Sequence, residues 1–107
     1  PSAYNDPALA KRVTDTMADW LGRGTLIKRQ PTMGGEDFGM YGRTEHKIPI
    51  FMFALGTVSS DLIKRFRAAG KPLPMVHSST YAPDIEPSLR TGVTATTATA
   101  LDLFAAP

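Results

Sequence analysis

Apolar residues recur at three- and four-residue spacing in the first part of the chain, which predicts an amphipathic helix. The helix is predicted to begin at Asn5-Asp6-Pro7, because an Asx side chain can accept from the free amides of a first turn and proline fits its first positions. Gly22 and Gly24 are predicted to end it. Five residues of this helix are expected to face the core: Ala10, Val13, Met17, Trp20 and Leu21.

Residues 48–55 form an apolar run without alternation, which predicts a strand that is covered on both faces. Such strands belong to mostly parallel sheets packed between helices, and Pro49 suits the beginning of one. Residues 25–28 are a second, shorter strand candidate. Two strands are too few for a sheet of this kind, so we expect the chain to be part of a larger domain.

Two further helices are predicted in the second half of the chain. One begins at Ser59 or Ser60 and runs through Ala69, before Gly70. The other begins near Glu86, and five of its residues are expected to face inward: Leu89, Val93, Ala100, Leu101 and Phe104.

The composition limits the class of protein. With 107 residues, 42% of them apolar and 21% charged, the chain is expected to form one globular core. The absence of cysteine excludes disulfides and thiolate zinc sites, and it fits a reducing compartment. No apolar run is long enough to cross a bilayer and no signal sequence is recognisable, so we expect a cytoplasmic protein that does not bind membranes.

The net charge of +2 and the pI of about 9.2 raise the question of nucleic-acid binding. The basic residues are scattered singles, pairs and one triplet, without the regularly placed aromatic residues on which bases stack. We therefore interpret them as solvated surface and expect no nucleic-acid partner.

Two loops are the candidates for chemistry, since no nucleophile elbow, phosphate loop, dinucleotide fingerprint or His-Glu-x-x-His helix is present. In the first, Gly34 and Gly35 would let the backbone adopt positive φ or approach a ligand closely. The acidic pair Glu36 and Asp37 could begin a short helix beside them. The alternative is an ordinary turn in which the two carboxylates cap the first helical turn.

The second loop carries His77, whose imidazole could ligate a metal while another group holds the ring. The alternative is a histidine that only makes hydrogen bonds within its loop. The other histidine, His46, lies between Glu45 and Lys47 and is expected at the surface.

Taken in order, several motifs resemble the C-terminal end of the aminoacylase-like metallopeptidases, which include hippurate hydrolases, N-acyl-amino-acid amidohydrolases and plant auxin-conjugate hydrolases. The resemblance covers nearly the whole chain. The motifs are Gly-Gly-Glu-Asp-Phe at 34–38, Phe-Ala-Leu-Gly at 53–56, His-Ser at 77–78, Tyr-Ala-Pro-Asp at 81–84 and Thr-Gly-Val at 91–93.

The resemblance implies an α/β fold, in which the chain is the C-terminal part of a helix-sheet-helix sandwich with few strands of its own. Residues 1–6 would be the end of a lid domain and its hinge, and residues 7–107 the C-terminal part of the catalytic domain. In such enzymes two divalent metal ions, here zinc or manganese, bridge a water that attacks the amide of an N-acyl amino acid or peptide-like substrate.

The same resemblance assigns roles to the two loops. His77 matches the last metal ligand, and Gly34, Gly35, Glu36 and Asp37 match a turn that lines the substrate cleft. The other ligands and the proton-transferring glutamate have no counterpart, so no catalytic residue is expected in this segment. By itself the chain should be inactive and bind no metal, and it should associate with the rest of the enzyme or with itself. A non-catalytic α/β binding or assembly module is the alternative.

Overall fold

The fold is described by a computed structural model, in which residues 2–105 can be described. Three α-helices span Pro7–Leu21 (α1), Ser60–Ala68 (α2) and Ile85–Phe104 (α3), and short 3-10 helices span Arg23–Thr25 and Phe38–Arg43. Residues 2–105 contain no strand, so the predicted α/β sandwich is wrong and the described part of the chain is helical. Residue 1 of the predicted lid segment and residues 106 and 107 of the predicted catalytic segment lie outside the described residues.

The predicted strand at residues 48–55 is not formed, and no segment of residues 2–105 pairs with it as a strand. The amide of Asp6 donates to the carbonyl of Ile50 at 2.8 Å. This is a single backbone hydrogen bond, whereas two paired strands form a repeating series of them. The side chain of Asn5, the residue before Asp6, bonds to both backbone groups of Met52. Its amide nitrogen donates to the carbonyl of Met52 (2.9 Å), and its oxygen accepts from the amide of Met52 (2.8 Å). A side chain therefore satisfies backbone groups that a neighbouring strand would satisfy in a sheet.

Residues 25–28, the other strand candidate, also adopt no strand. Thr25 ends a 3-10 turn, in which its hydroxyl donates to the carbonyl of Gly22 at 2.7 Å. Leu26 follows in an extended conformation and packs against the core as a single residue. The 3-10 turn at Thr25 and the apolar contact of Leu26 thus explain the conformation of these two residues without a strand.

The helix α1 begins and ends where the sequence predicts. Asp6 caps it by accepting from the amide of Leu9 at 2.8 Å, and Gly22 ends it at φ +90°, a conformation that favours glycine. Val13 and Met17 are buried and form the core with Ala95. Around them pack four partly buried residues: Leu9, Leu21, Leu26 and Phe51.

One core residue predicted for α1 is wrong. Trp20 is 61% exposed, whereas Leu9, Val13, Met17 and Leu21, which follow one another at intervals of four residues, pack in the core. At the C-terminal end of the helix Met17 and Leu21 make the core contacts, and Trp20 is left exposed.

The helix α2 confirms the predicted start and stop. The hydroxyl of Ser59 accepts from the amide of Leu62 at 3.2 Å, and Ala69 ends the helix before Gly70, which has φ +64°. No residue of α2 is fully buried.

The predicted inner face of α3 is wrong. The five large or apolar residues assigned to it are all exposed, and Phe104 is 89% exposed. Ala95 and Ala98 are buried instead. Ala95 packs in the core with Val13 and Met17, and Arg12 adds a hydrogen bond to the carboxylate of Asp102 at 2.6 Å.

The described chain divides into two compact units. One runs from the N-terminal segment through Ala54 and resumes at Thr94, and it contains α1 and the core around Val13. The other is Leu55–Val93, which contains α2 and the loop of His77. No helix within residues 2–105 is both long and apolar enough to cross a membrane.

Candidate functional site: the His77 turn

His77 lies in a tight turn between α2 and α3. The amide of Ser78 donates to the carbonyl of Met75 at 2.9 Å, which closes a four-residue turn with His77 at its third position. A second turn follows at once, because the amide of Tyr81 donates to the carbonyl of Ser78 at 3.1 Å. Two consecutive turns thus present the histidine at the surface of its unit.

Hydroxyl groups hold the second turn together. The side chain of Ser78 accepts from the amide of Thr80 at 3.2 Å, and its oxygen lies 2.8 Å from the hydroxyl of Thr80. Short polar side chains that bond to nearby backbone stabilise such turns in place of regular structure. The run of serine and threonine after His77 therefore accounts for the local conformation.

Thr57, which precedes α2 in the chain, attaches the loop to the rest of its unit. The carbonyl of Thr57 accepts from the amide of Asp84 at 2.7 Å and from the hydroxyl of Ser88 at 3.5 Å. The side-chain hydroxyl of Thr57 also makes a hydrogen bond with the hydroxyl of Tyr81. Thr57 thus binds the chain on the C-terminal side of His77 at three points.

The imidazole of His77 is exposed, and no group within residues 2–105 makes a hydrogen bond or ion pair with it. The histidine therefore does not serve its own loop as a hydrogen-bonding residue. Its ring nitrogens are accessible, and a neutral imidazole is a common metal ligand.

A single imidazole fits one coordination position and does not make a metal centre. Catalytic zinc sites take about three protein ligands. Residues 2–105 contain no group of three or more His, Cys, Asp or Glu side chains placed to hold an ion. A metal centre at His77 would need further ligands besides this imidazole.

The predicted substrate-binding turn at Gly34–Asp37 lies in the other unit. Its glycines are exposed, and neither has a positive φ, so the first of the two roles expected for them does not hold and the close approach of a ligand stays a prediction. Glu36 accepts from the amide of Phe38 at 2.8 Å, just where the 3-10 helix Phe38–Arg43 begins. This contact matches the interpretation of Glu36 as a capping residue, whereas Asp37 makes no capping hydrogen bond.

His46 lies at the surface, as the sequence predicts. Its side chain is 75% exposed, and its Nε2 atom lies 3.4 Å from the carboxylate of Glu45. The two histidines thus differ in their surroundings, because among residues 2–105 His46 has an acidic neighbour and His77 has none.

Sequence reasoning missed the role of Thr57 in this site. Its partner Tyr81 belongs to a motif that the resemblance contains, but nothing in the sequence pairs two hydroxyls that are 24 positions apart. The hydroxyls of Thr57 and Tyr81 come together only in the folded chain, where the loop after His77 returns to the residues that precede α2.

Comparison with known proteins found no match for this chain among protein-family models, curated proteins or solved structures.

Proposed function

We propose that the chain is the C-terminal portion of a metal-dependent amidohydrolase that cleaves N-acyl amino acids or related amides. In this proposal it contributes His77 as one ligand of a divalent metal ion, zinc or manganese. The observation that supports it is the exposed imidazole, which is presented by two consecutive turns and makes no hydrogen bond within residues 2–105.

A bound metal would lower the pKa of a coordinated water and polarise the amide carbonyl of the substrate. The part of His77 is to donate a nitrogen lone pair, for which its imidazole must be neutral. The remaining ligands and the base that transfers the proton belong to the rest of the enzyme, which is a necessary partner in this proposal. The cytoplasmic location expected from the sequence is part of the same proposal.

The turn Gly34–Asp37 is proposed to contact the substrate through its backbone. Glu36 already uses a carboxylate oxygen to bond the amide of Phe38, whereas Gly34 and Gly35 are exposed and carry no side chain. A Cβ atom added at Gly35 would meet nothing within 4 Å, so a ligand can reach this part of the backbone.

A second candidate function is a non-catalytic binding or assembly module. Large apolar side chains on α3 are exposed, among them Leu89, Leu101 and Phe104. Exposed apolar surface of this kind is typical of contact with other proteins. The two candidates differ in whether the complete protein has hydrolytic activity.

An activity comparison tests the proposed function. The purified 107-residue chain, given zinc or manganese, is expected to hydrolyse no N-acyl amino acid above a metal-only control, because one ligand cannot hold the catalytic ion. The longer polypeptide that contains it is expected to hydrolyse the same substrate. Activity of the chain alone would contradict the proposal that the other ligands and the base lie outside it. A complete protein that binds metal but is inactive would favour the non-catalytic binding or assembly module.

A further inference from the structure

We infer that Thr57 is the positioning residue of the His77 turn, acting through its contact with Tyr81. The ligand role of His77 rests on the proposed function, but the attachment of the turn rests on contacts within Leu55–Val93 alone. Thr57 touches neither metal nor substrate in this inference. It acts by limiting where the imidazole can lie.

The two sides of the turn are held unequally. On the N-terminal side, Leu73 and Pro74 are half-buried, but within residues 2–105 the only hydrogen bond made by residues 72–77 is the local one from Ser78 to the carbonyl of Met75. On the C-terminal side, Tyr81, Asp84 and Ser88 all bond to Thr57. The hydrogen bonds that fix the position of His77 therefore lie on its C-terminal side.

Thr57 uses both of its polar groups in this attachment. Its carbonyl fixes the start of α3 through Asp84 and Ser88, while its hydroxyl fixes the turn itself through Tyr81, four residues after His77. The pair is partly buried, so water competes with it less than at an exposed site. Removing the hydroxyl should free the turn while the helix start stays in place.

Precise placement matters to a ligand more than to an ordinary loop residue. Functional side chains need to be held within about 0.5 Å of their working geometry. Groups bonded directly to a ligating imidazole typically change metal affinity by about 10- to 100-fold when they are removed. Thr57 acts on the turn and makes no bond to the ring, so a smaller effect is expected.

The test uses Thr57→Val and Tyr81→Phe, which each remove one hydroxyl and keep the shape of the side chain. In the 107-residue chain, hydrogen exchange of the Ser78 and Tyr81 amides is expected to become about five- to tenfold faster, the size expected for one lost hydrogen bond. The double variant should exchange no faster than either single variant, because both changes break the same bond. Thr57→Ser keeps the hydroxyl and should retain the original exchange rates.

Thr25→Val is the matched control, since it removes a hydroxyl that bonds to Gly22 in the other unit. It should leave exchange in the His77 turn unchanged. In the complete enzyme, Thr57→Val is expected to weaken metal binding about two- to tenfold, the size expected for one lost hydrogen bond, measured by competition with a chelator, while Thr57→Ser binds normally.

Unchanged exchange at Ser78 and Tyr81 in Thr57→Val would overturn the inference, whatever the metal affinity. Faster exchange with unchanged metal affinity would overturn the positioning role. Full metal content in a His77→Ala variant would overturn the proposed function, and this result is distinguishable because it leaves the exchange data intact.

Discussion

At the scale of single residues, the glycine that the structure constrains most lies outside the predicted site. Gly39 is buried, and a Cβ atom there would collide with the carbonyl group of Ser2, lying 2.9 Å from its carbon. Arg43 also reaches Ser2, with distances of 3.3 and 3.4 Å to its hydroxyl and carbonyl oxygens. The 3-10 helix Phe38–Arg43 thus holds the N-terminal segment through close backbone contact.

Gly39→Ala is expected to destabilise the fold by about 1–3 kcal/mol, because backbone atoms cannot move aside as a flexible side chain can. Gly35→Ala is the matched control: its Cβ would meet nothing within 4 Å and its φ is not positive, so a change within about 0.5 kcal/mol is expected. Urea unfolding of both variants measures the difference. Equal midpoints would contradict the close approach at Gly39.

At the scale of elements, the segment 48–55 depends on Asn5. The side chain of Asn5 satisfies both backbone groups of Met52, at 2.8 and 2.9 Å, in the way that a neighbouring strand would. Asn5→Ala should therefore lower the free energy of unfolding by about 1–3 kcal/mol, the sum of two ordinary hydrogen bonds.

Asn5→Asp provides the control for that prediction. It keeps the oxygen that accepts from the amide of Met52 and loses the donor to its carbonyl, so an intermediate loss of stability is expected. Hydrogen exchange of the Met52 amide should increase in Asn5→Ala and change less in Asn5→Asp. If both variants leave that amide protected, another group supports the segment.

The sequence predicted helix ends better than it predicted strands and helix faces. Asp6, Gly22 and Ser59 act through bonds to residues close in the chain, and these local signals located α1 and α2 correctly. A strand depends on a distant partner, and no apolar pattern can supply one. In α3 the buried residues are alanines, so an expectation based on large side chains placed the core on the wrong face.

For the candidate site, too, the sequence predicted individual residues better than the contacts between them. The sequence singled out His77 and the acidic pair beside Gly34 and Gly35, because histidines and paired glycines are rare and chemically distinctive. It did not show that Glu36 bonds the amide of Phe38 or that Thr57 holds the turn of His77. Those contacts depend on backbone geometry and on the folded loop.

At the scale of the whole molecule, the exposed apolar side chains predict association. The segment at residues 48–55 does not supply an unpaired strand edge for this association, because it is no strand. The exposure of Leu89, Leu101 and Phe104 on α3 supports the same outcome on a different surface. We therefore expect the 107-residue chain to associate with itself when the other part of the proposed enzyme is absent.

Sedimentation velocity over a wide range of concentrations measures this association. The average mass should rise with concentration, and sulfate should strengthen the effect because it favours burial of apolar surface. Sodium chloride provides the comparison, since an association driven by ion pairs would weaken in it. A monomer that persists at high concentration and binds no apolar dye would contradict the prediction.

The central claim is that His77 supplies one ligand to a metal centre that other parts of the enzyme complete. Metal analysis of the purified complete enzyme tests it most directly, with His77→Ala compared against His46→Ala. Both variants remove an exposed histidine, but in the part of the chain that the structure describes only His77 lacks an acidic neighbour and lies in the turn that Thr57 and Tyr81 hold. The account predicts that His77→Ala loses bound metal and activity together while His46→Ala keeps both, and full metal content with normal turnover in His77→Ala would contradict it.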